Sequence, residues 1–261
     1  MKYGICVGME QLDRIEVAAK SGYDYIEANF SALTQADEKT YTAFRNALCE
    51  NNIACEAANC FLPGSVRLTG PEADLAPARA HVEKGMKRAH ELGVQVIVFG
   101  SGGARKIPEG ASFRRGFEQL VGFLRDVACP IAAQYGISIA VEPLCPQETN
   151  IINRVKEGAM LAAASGCENA GALGDLYHMA IIGDDGNELR ALKGCVLHTH
   201  IANPALNTPK QRWFPADPSE YDYADFIRAA EYVGCPRCSV EGTCSDFAAE
   251  APVALQTLKA I

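Results

Sequence analysis

The sequence holds no apolar run near the roughly 20 residues that a helical membrane span requires, so a spanning helix is not expected. It also lacks a basic block. The net charge is −8, spread along the chain, which argues against nucleic acid as a partner. The start, MKYGICVGMEQLDRIEVAAK, has neither the apolar core nor the small-residue cleavage site of a signal peptide, and a cytoplasmic setting is the expectation. No low-complexity linker or break in composition divides the 261 residues, which suits one domain over 1–261. There is a single Trp. Cysteine is plentiful at eleven, but the number is odd and no export signal accompanies it, so reduced thiols are expected. The one close pair, Cys235 and Cys238, has no second pair at zinc-ribbon spacing and enters a strand from its amino end. A functional CxxC is not expected.

What the chain does have is a regular alternation of strand-like and helix-like segments. The strand candidates are KYGICV, DYIEANF, IACEAANCF, VQVIVFG, ISIAVE, AGALGD, CVLHTH and RCSVEG. Between them fall helical patterns. One covers Glu10 to Lys20 and closes at Gly22; another spans about Gln35 to Asn51, with Ala43, Phe44, Ala47 and Leu48 on one face. A long helix from Ser112 to Gly136 is expected to kink at Pro130. Further helices are expected near Val155 to Ala164, over Asn187 to Lys193, and from Phe247 to the end. Eight strand-plus-helix units in a chain of this length predict a single α/β (β/α)8 TIM barrel. In the fifth strand, alternation places Ser138, Ala140 and Glu142 on one face and Ile137, Ile139 and Val141 on the other. Small or polar residues would face the barrel axis and β-branched ones the helices.

Four of the strand candidates end on a metal-ligand side chain: Glu142, Asp175, His200 and Glu241. In a closed parallel barrel these ends converge, and barrel active sites lie at that face. Three carboxylates and one imidazole would share a small volume, with no Lys or Arg inside the runs GISIAVEP, AGALGD, VLHTH and CSVEG that carry them. Leaving such charges unpaired would cost several kcal/mol each, so a divalent cation is the expected counter-charge. The donor set is hard and oxygen-rich, which favours Mn²⁺ first, with Mg²⁺ and Co²⁺ next, over a thiolate-bound zinc. Such an ion with open positions stabilises the enediolate formed when a hydroxy-ketone loses a C–H proton. Glu142 and Glu241 come from well-separated strands, and each is a candidate general base or acid for one face of a bound sugar.

The segments VEPLCPQETN, LGDLYHM, HTHIANP and SVEG, in this order, resemble the sugar isomerase/epimerase superfamily with xylose-isomerase-like TIM barrels. The most similar group is the D-tagatose/D-psicose 3-epimerases. The resemblance implies metal ligation by Glu142, Asp175, His200 and Glu241, and substrate contact by Glu148 and by His178 of the Asp-x-x-His motif. It also implies that a ketose, or ketose phosphate, is epimerised at C3. In that group an Arg binds substrate six residues after the strand-seven His, whereas here the position is Leu206. Arg212, six residues further on, is the candidate replacement. Relatives that share the enolisation step include keto-inositol dehydratases, hydroxypyruvate isomerases and lyases of oxidised glycosides, so elimination from the same enolate is the alternative outcome. A non-catalytic sugar-binding barrel is a further reading, disfavoured by retention of both candidate bases. An apurinic-site endonuclease is disfavoured by the acidic charge and the five scattered histidines.

Several other residues carry weaker expectations. Phe61, Trp213 and Phe214 fall in loops after strands three and seven, positioned to pack on the apolar face of a sugar or to form an oligomer contact. Trp213 is the preferred substrate contact of the three. His198 is expected as a hydrogen-bonded interior residue below His200. Glu27 and Glu56 either line the pocket or make ordinary pairings. His81 and His90 are expected on an exposed helix face. The turn GSGGAR, Gly100 to Arg105, is either a permissive turn or a phosphate cradle.

Overall fold

Eight short strands pair in parallel, each with its sequence neighbours, and the first pairs with the last to close the ring. The computed structural model describes residues 1–206 and 211–261, so part of the loop that follows the seventh strand lies outside the described residues. The strands are β1 (Lys2–Val7), β2 (Tyr25–Asn29), β3 (Ala54–Asn59), β4 (Val96–Phe99), β5 (Ser138–Val141), β6 (Ala170–Asp175), β7 (Val196–Ile201) and β8 (Arg237–Val240). Helices cross between them on the outside, which is the (β/α)8 TIM barrel architecture. Among the described residues no helix is long and apolar enough to cross a membrane.

Strand parity behaves as the sequence predicts. Ile139 and Val141 point into the large helix-facing core, whereas Ala140 joins Tyr25, Ala57, Val96, Val98 and Leu173 inside the barrel. The interior is filled rather than hollow. A Cβ on Gly4 would lie 2.2 Å from the Tyr25 ring, so β1 must carry glycine where that tyrosine crosses the barrel. Two strands are re-phased by an extra residue. Ala172 pairs with Val196 but Leu173 with His198, leaving Leu197 as a bulge in β7. Val196 faces the helices, so plain alternation would turn His198 outward as well; the bulge turns both His198 and His200 toward the axis.

Helix boundaries differ from expectation where local chemistry intervenes. The helix expected over Gln35 to Asn51 is two helices, Phe30–Gln35 and Glu38–Glu50, because Asp37 caps the second by accepting the Thr40 amide. The long helix is interrupted near Pro130, where a kink was expected. Its π-helical turn is Leu124–Ala128, just before Pro130, whose ring displaces the carbonyl four residues earlier. A helix not foreseen, Leu176–Ile181, starts directly at the end of β6 and is capped by Asp175 itself.

All eleven cysteines are free thiols. Cys235 and Cys238 are buried at the amino end of β8 and join no cluster of metal-ligating groups among the described residues.

Candidate metal centre

Parallel closure brings the carboxyl ends of β5, β6, β7 and β8 to one point, and with them Glu142, Asp175, His200 and Glu241. Each offers a ligand atom, and these four atoms lie within 4.8 Å of one another. His200 Nδ1 is the hub. It stands 3.1 Å from Glu142 Oε1, 3.1 Å from Glu241 Oε2 and 3.8 Å from Asp175 Oδ2. Glu142, Asp175 and His200 are buried and Glu241 nearly so. Asp175 holds its second oxygen in the helix cap, accepting the amides of Tyr177 at 2.7 Å and His178 at 3.3 Å. Glu241 Oε1 accepts from Asn59 Nδ2 at 2.9 Å, at the end of β3.

The electrostatics of this cluster are uneven. Burial, reinforced by neighbouring Glu241 and Asp175, pushes the Glu142 carboxyl above its ordinary range. Burial also works against ionisation of Glu241, but Arg212 and His200 overcome it and hold that carboxyl low. Asp175 is likewise held low against burial by His178, His200 and Arg212. Oε2 of Glu241 is buried without a properly oriented donor among the described residues. Three hard oxygens, one imidazole nitrogen, a carboxyl disfavoured as an anion and an oxygen left without a donor all fit a divalent cation.

His178 follows Asp175 by less than one turn. Its Nδ1 accepts the Cys145 amide at 3.1 Å, which leaves the proton on Nε2. That nitrogen is buried, has no hydrogen-bond partner among the described residues, and lies 3.9 Å from Asp175 Oδ2. Glu148 is exposed, with Oε1 3.9 Å from Cys145 Sγ, and it groups with Cys145 and His178 beside the four-residue cluster. Arg212 reaches the cluster directly, 2.8 Å from Glu241 Oε2 and 3.3 Å from Asp175 Oδ2. Trp213 pairs through its backbone with Asn203 and with Thr243 at the rim, where it is exposed.

Some expectations need correction. Phe61 does not line the pocket: it is fully buried among Phe30, Phe99 and Phe123 in the helix-facing core. Phe214 is also buried, packed edge-on against Phe247 at 5.8 Å. Both rings turn inward because the core offers more apolar contact than the pocket does. His81 is half-buried rather than exposed, with Nε2 3.0 Å from the Phe61 carbonyl oxygen. Glu27 and Glu56 part company. Glu56 sits at the opposite end of the barrel, paired with Lys2 and, at 3.3 Å, with Arg237. Glu27 lies directly below the cluster, bonded to His200 Nε2 at 2.9 Å and to His198 Nε2 at 2.8 Å. His198 is an interior hydrogen-bonded residue, as expected.

Two contributors were not foreseen. Asn59 steadies Glu241, and the only cue in sequence was its place at a strand end. Arg105, at the close of GSGGAR, is a fully buried cation whose Nη1 donates to the Phe99 carbonyl at 2.9 Å. Burial brings its pKa down to about 10, with Glu142 and Glu148 acting to support its charge. The glycine of that turn nearest the site, Gly100, is there for space: a Cβ would lie 2.1 Å from Glu142 Oε2.

Comparison with known proteins agrees with this architecture. A family profile described as xylose isomerase-like TIM barrel matches residues 15–260. No curated protein matches the chain. Among solved structures, a D-allulose 3-epimerase from Methylomonas sp. in complex with D-allulose has 22% identity and a TM-score of 0.84, over 100% of this chain and 96% of its own. A D-psicose 3-epimerase from Clostridium cellulolyticum H10, solved with D-tagatose, has 20% identity and a TM-score of 0.80, over 100% and 99%. A 3-keto-D-glucoside 4-epimerase from E. coli has 18% identity and a TM-score of 0.80, over 100% of both chains. At these identities the likeness is one of fold.

Proposed function

We propose, for a chain that belongs to the xylose isomerase-like TIM barrel family, a divalent-metal-dependent sugar epimerase in which residues 1–261 form one catalytic unit. The favoured substrate is a ketose or ketose phosphate, inverted at C3. The single observation that carries the reading is the convergence of Glu142, Asp175, His200 and Glu241 at the ends of four consecutive strands. The sugars named for the similar folds, allulose, tagatose and a 3-keto-glucoside, support a carbohydrate carrying a ketone.

Glu142, Asp175, His200 and Glu241 would hold the ion, with Mn²⁺ the first choice for this donor set. Bound there, it supplies the Lewis acidity that makes a hydrogen beside the ketone acidic. One of Glu142 and Glu241 takes that proton, leaving a planar enediolate. The other returns a proton to the opposite face, so the configuration inverts. The Nε2–H of His178 donates to a substrate oxygen, which satisfies its otherwise unpartnered proton. Glu148 accepts a hydroxyl beside it. Arg212 supplies the cationic contact that Leu206 lacks, and Trp213 covers the apolar face of the ring from the rim.

A panel of ketoses and oxidised glycosides, incubated with the protein and Mn²⁺ in D₂O and followed by NMR, tests the reading. Deuterium at a single carbon with formation of the epimer supports it. An unsaturated product identifies a lyase or dehydratase working through the same enolate. Silence across the panel favours a sugar-binding barrel.

A further inference from the structure

We infer that Glu27 is a positioning residue that fixes which nitrogen of His200 faces the carboxylate cluster. The inference rests on the proposed cation site and adds a residue to it. Glu27 lies in β2 with its side chain fully enclosed between two imidazoles. Oε1 faces His200 Nε2 at 2.9 Å and Oε2 faces His198 Nε2 at 2.8 Å. A carboxylate seated between two imidazole nitrogens, one oxygen to each, accepts from both. An anionic carboxylate only accepts, so both histidines must carry their proton on Nε2. In the neutral ring that a cation would take, this leaves Nδ1 of His200 with its lone pair free. Nδ1 is the nitrogen that stands 3.1 Å from both Glu142 and Glu241.

The remaining contacts explain why Glu27 cannot turn away. His198 Nε2 also lies 3.3 Å from Ser239 Oγ, and Ser239 Oγ lies 2.8 Å from the Tyr25 hydroxyl. Glu27, His198, Ser239 and Tyr25 are all without solvent exposure. A chain of polar contacts therefore descends the barrel axis from the cluster into the interior, and Glu27 is its link to His200. Glutamine cannot replace it without conflict. An amide offers one oxygen and one NH₂, so the NH₂ would face one of the two Nε2 atoms and drive that ring's proton to Nδ1. On the His200 side the proton would land on the atom that must ligate. Partners of this kind typically change metal affinity by ~10- to 100-fold.

The test uses full-length protein stripped of metal by a chelator and titrated with Mn²⁺ by calorimetry. Glu27→Gln, with folding checked by circular dichroism, is expected to bind ~10- to 100-fold more weakly than wild type. A second measurement needs no variant. Wild-type protein loaded with diamagnetic Mg²⁺ and labelled with ¹⁵N-histidine should show His200 protonated at Nε2 and not at Nδ1. Wild-type uptake of Mn²⁺ matched by Glu27→Gln, or a proton on Nδ1 in the loaded protein, overturns this inference alone. A second equivalent of Mn²⁺ that disappears in Glu27→Gln also overturns it, because Glu27, His198 and His200 would then be a site themselves. No uptake by the wild type removes the cation site and the positioning role together.

Discussion

One guanidinium nitrogen of Arg212 lies 2.8 Å from Glu241 Oε2, an oxygen that has no properly oriented donor among the described residues. The same nitrogen is 3.3 Å from Asp175 Oδ2. Both oxygens belong to the four-residue cluster, so the proposed divalent ion would compete with this guanidinium for the same lone pairs. Arg212 also lies over the Tyr177 ring, 5.4 Å from its centroid, which gives it a second contact once the oxygens are taken. Arg212→Gln is expected to tighten Mn²⁺ binding by roughly 2- to 5-fold, the range set by a partly exposed ion pair. The KM for the sugar should rise in the same variant. Calorimetry on stripped protein and steady-state kinetics check the two effects separately; unchanged or weaker Mn²⁺ binding would mean that ion and guanidinium share Glu241.

Glu142 and Glu241 approach His200 Nδ1 at equal distances but from strands β5 and β8, and they differ in electrostatic setting. Glu142→Gln and Glu241→Gln each keep an oxygen for ligation and lose a base. Epimerisation should fall by roughly 10²- to 10⁴-fold in each. Proton exchange gives the sharper result. In D₂O, each variant should still exchange the hydrogen of one epimer and not of the other, with the two variants showing opposite preferences. If one variant loses exchange with both epimers and the other with neither, a single base does both steps.

Gly100 lies between β4 and Glu142, where a methyl group would meet Glu142 Oε2 at 2.1 Å and Leu144 Cδ2 at 3.6 Å. Gly100→Ala must therefore displace the carboxylate. The fold should survive with a loss of about 1–3 kcal/mol, the usual cost of overpacking. Turnover should fall further than stability suggests, on the order of 100-fold, because a catalytic group shifted by about 1 Å loses its alignment. Thermal melts and kcat on the same preparation decide it; an unshifted melt with wild-type turnover would place the Glu142 carboxylate elsewhere.

The barrel and the convergence of Glu142, Asp175, His200 and Glu241 were legible in the sequence because both depend on local pattern. Alternation along β5 separates Ala140 from Ile139, and a carboxylate or imidazole at a strand end needs only its position to be recognised. Glu27 was legible only as a residue that lines the pocket or pairs locally, not as the partner of His198 and His200. Its partners stand 171 and 173 residues away, and their approach depends on a bulge at Leu197 that no turn residue announces. Phe61 and Phe214 failed for a related reason. A loop aromatic packs wherever the nearest apolar surface is, and here that surface is the core behind the strands. Asp37 is different: an N-cap side chain was present in the sequence between the two helices, but the apolar spacing on either side masked it.

His81 shows how a helix position that looks solvent-facing acquires a pH dependence. Its ring packs edge-on to Phe30 at 5.6 Å and its Nε2 donates to the Phe61 carbonyl. Burial, with nearby Lys84, lowers its pKa below the ordinary value, against the opposing pull of the Phe61 carbonyl. In the unfolded chain the group titrates near the usual value of about 6.5. Between the lowered folded value and about 6.5 the unfolded chain binds more protons, so stability rises with pH across that window. The contribution is fully present above about 6.5 and is lost as pH falls through the folded value. His81→Gln keeps a donor for the Phe61 carbonyl and removes the titration. Urea midpoints at pH 5 and pH 7 should therefore differ less in His81→Gln than in the wild type. Equal differences in the two proteins would mean that the ring is solvated, as its helical spacing alone suggests.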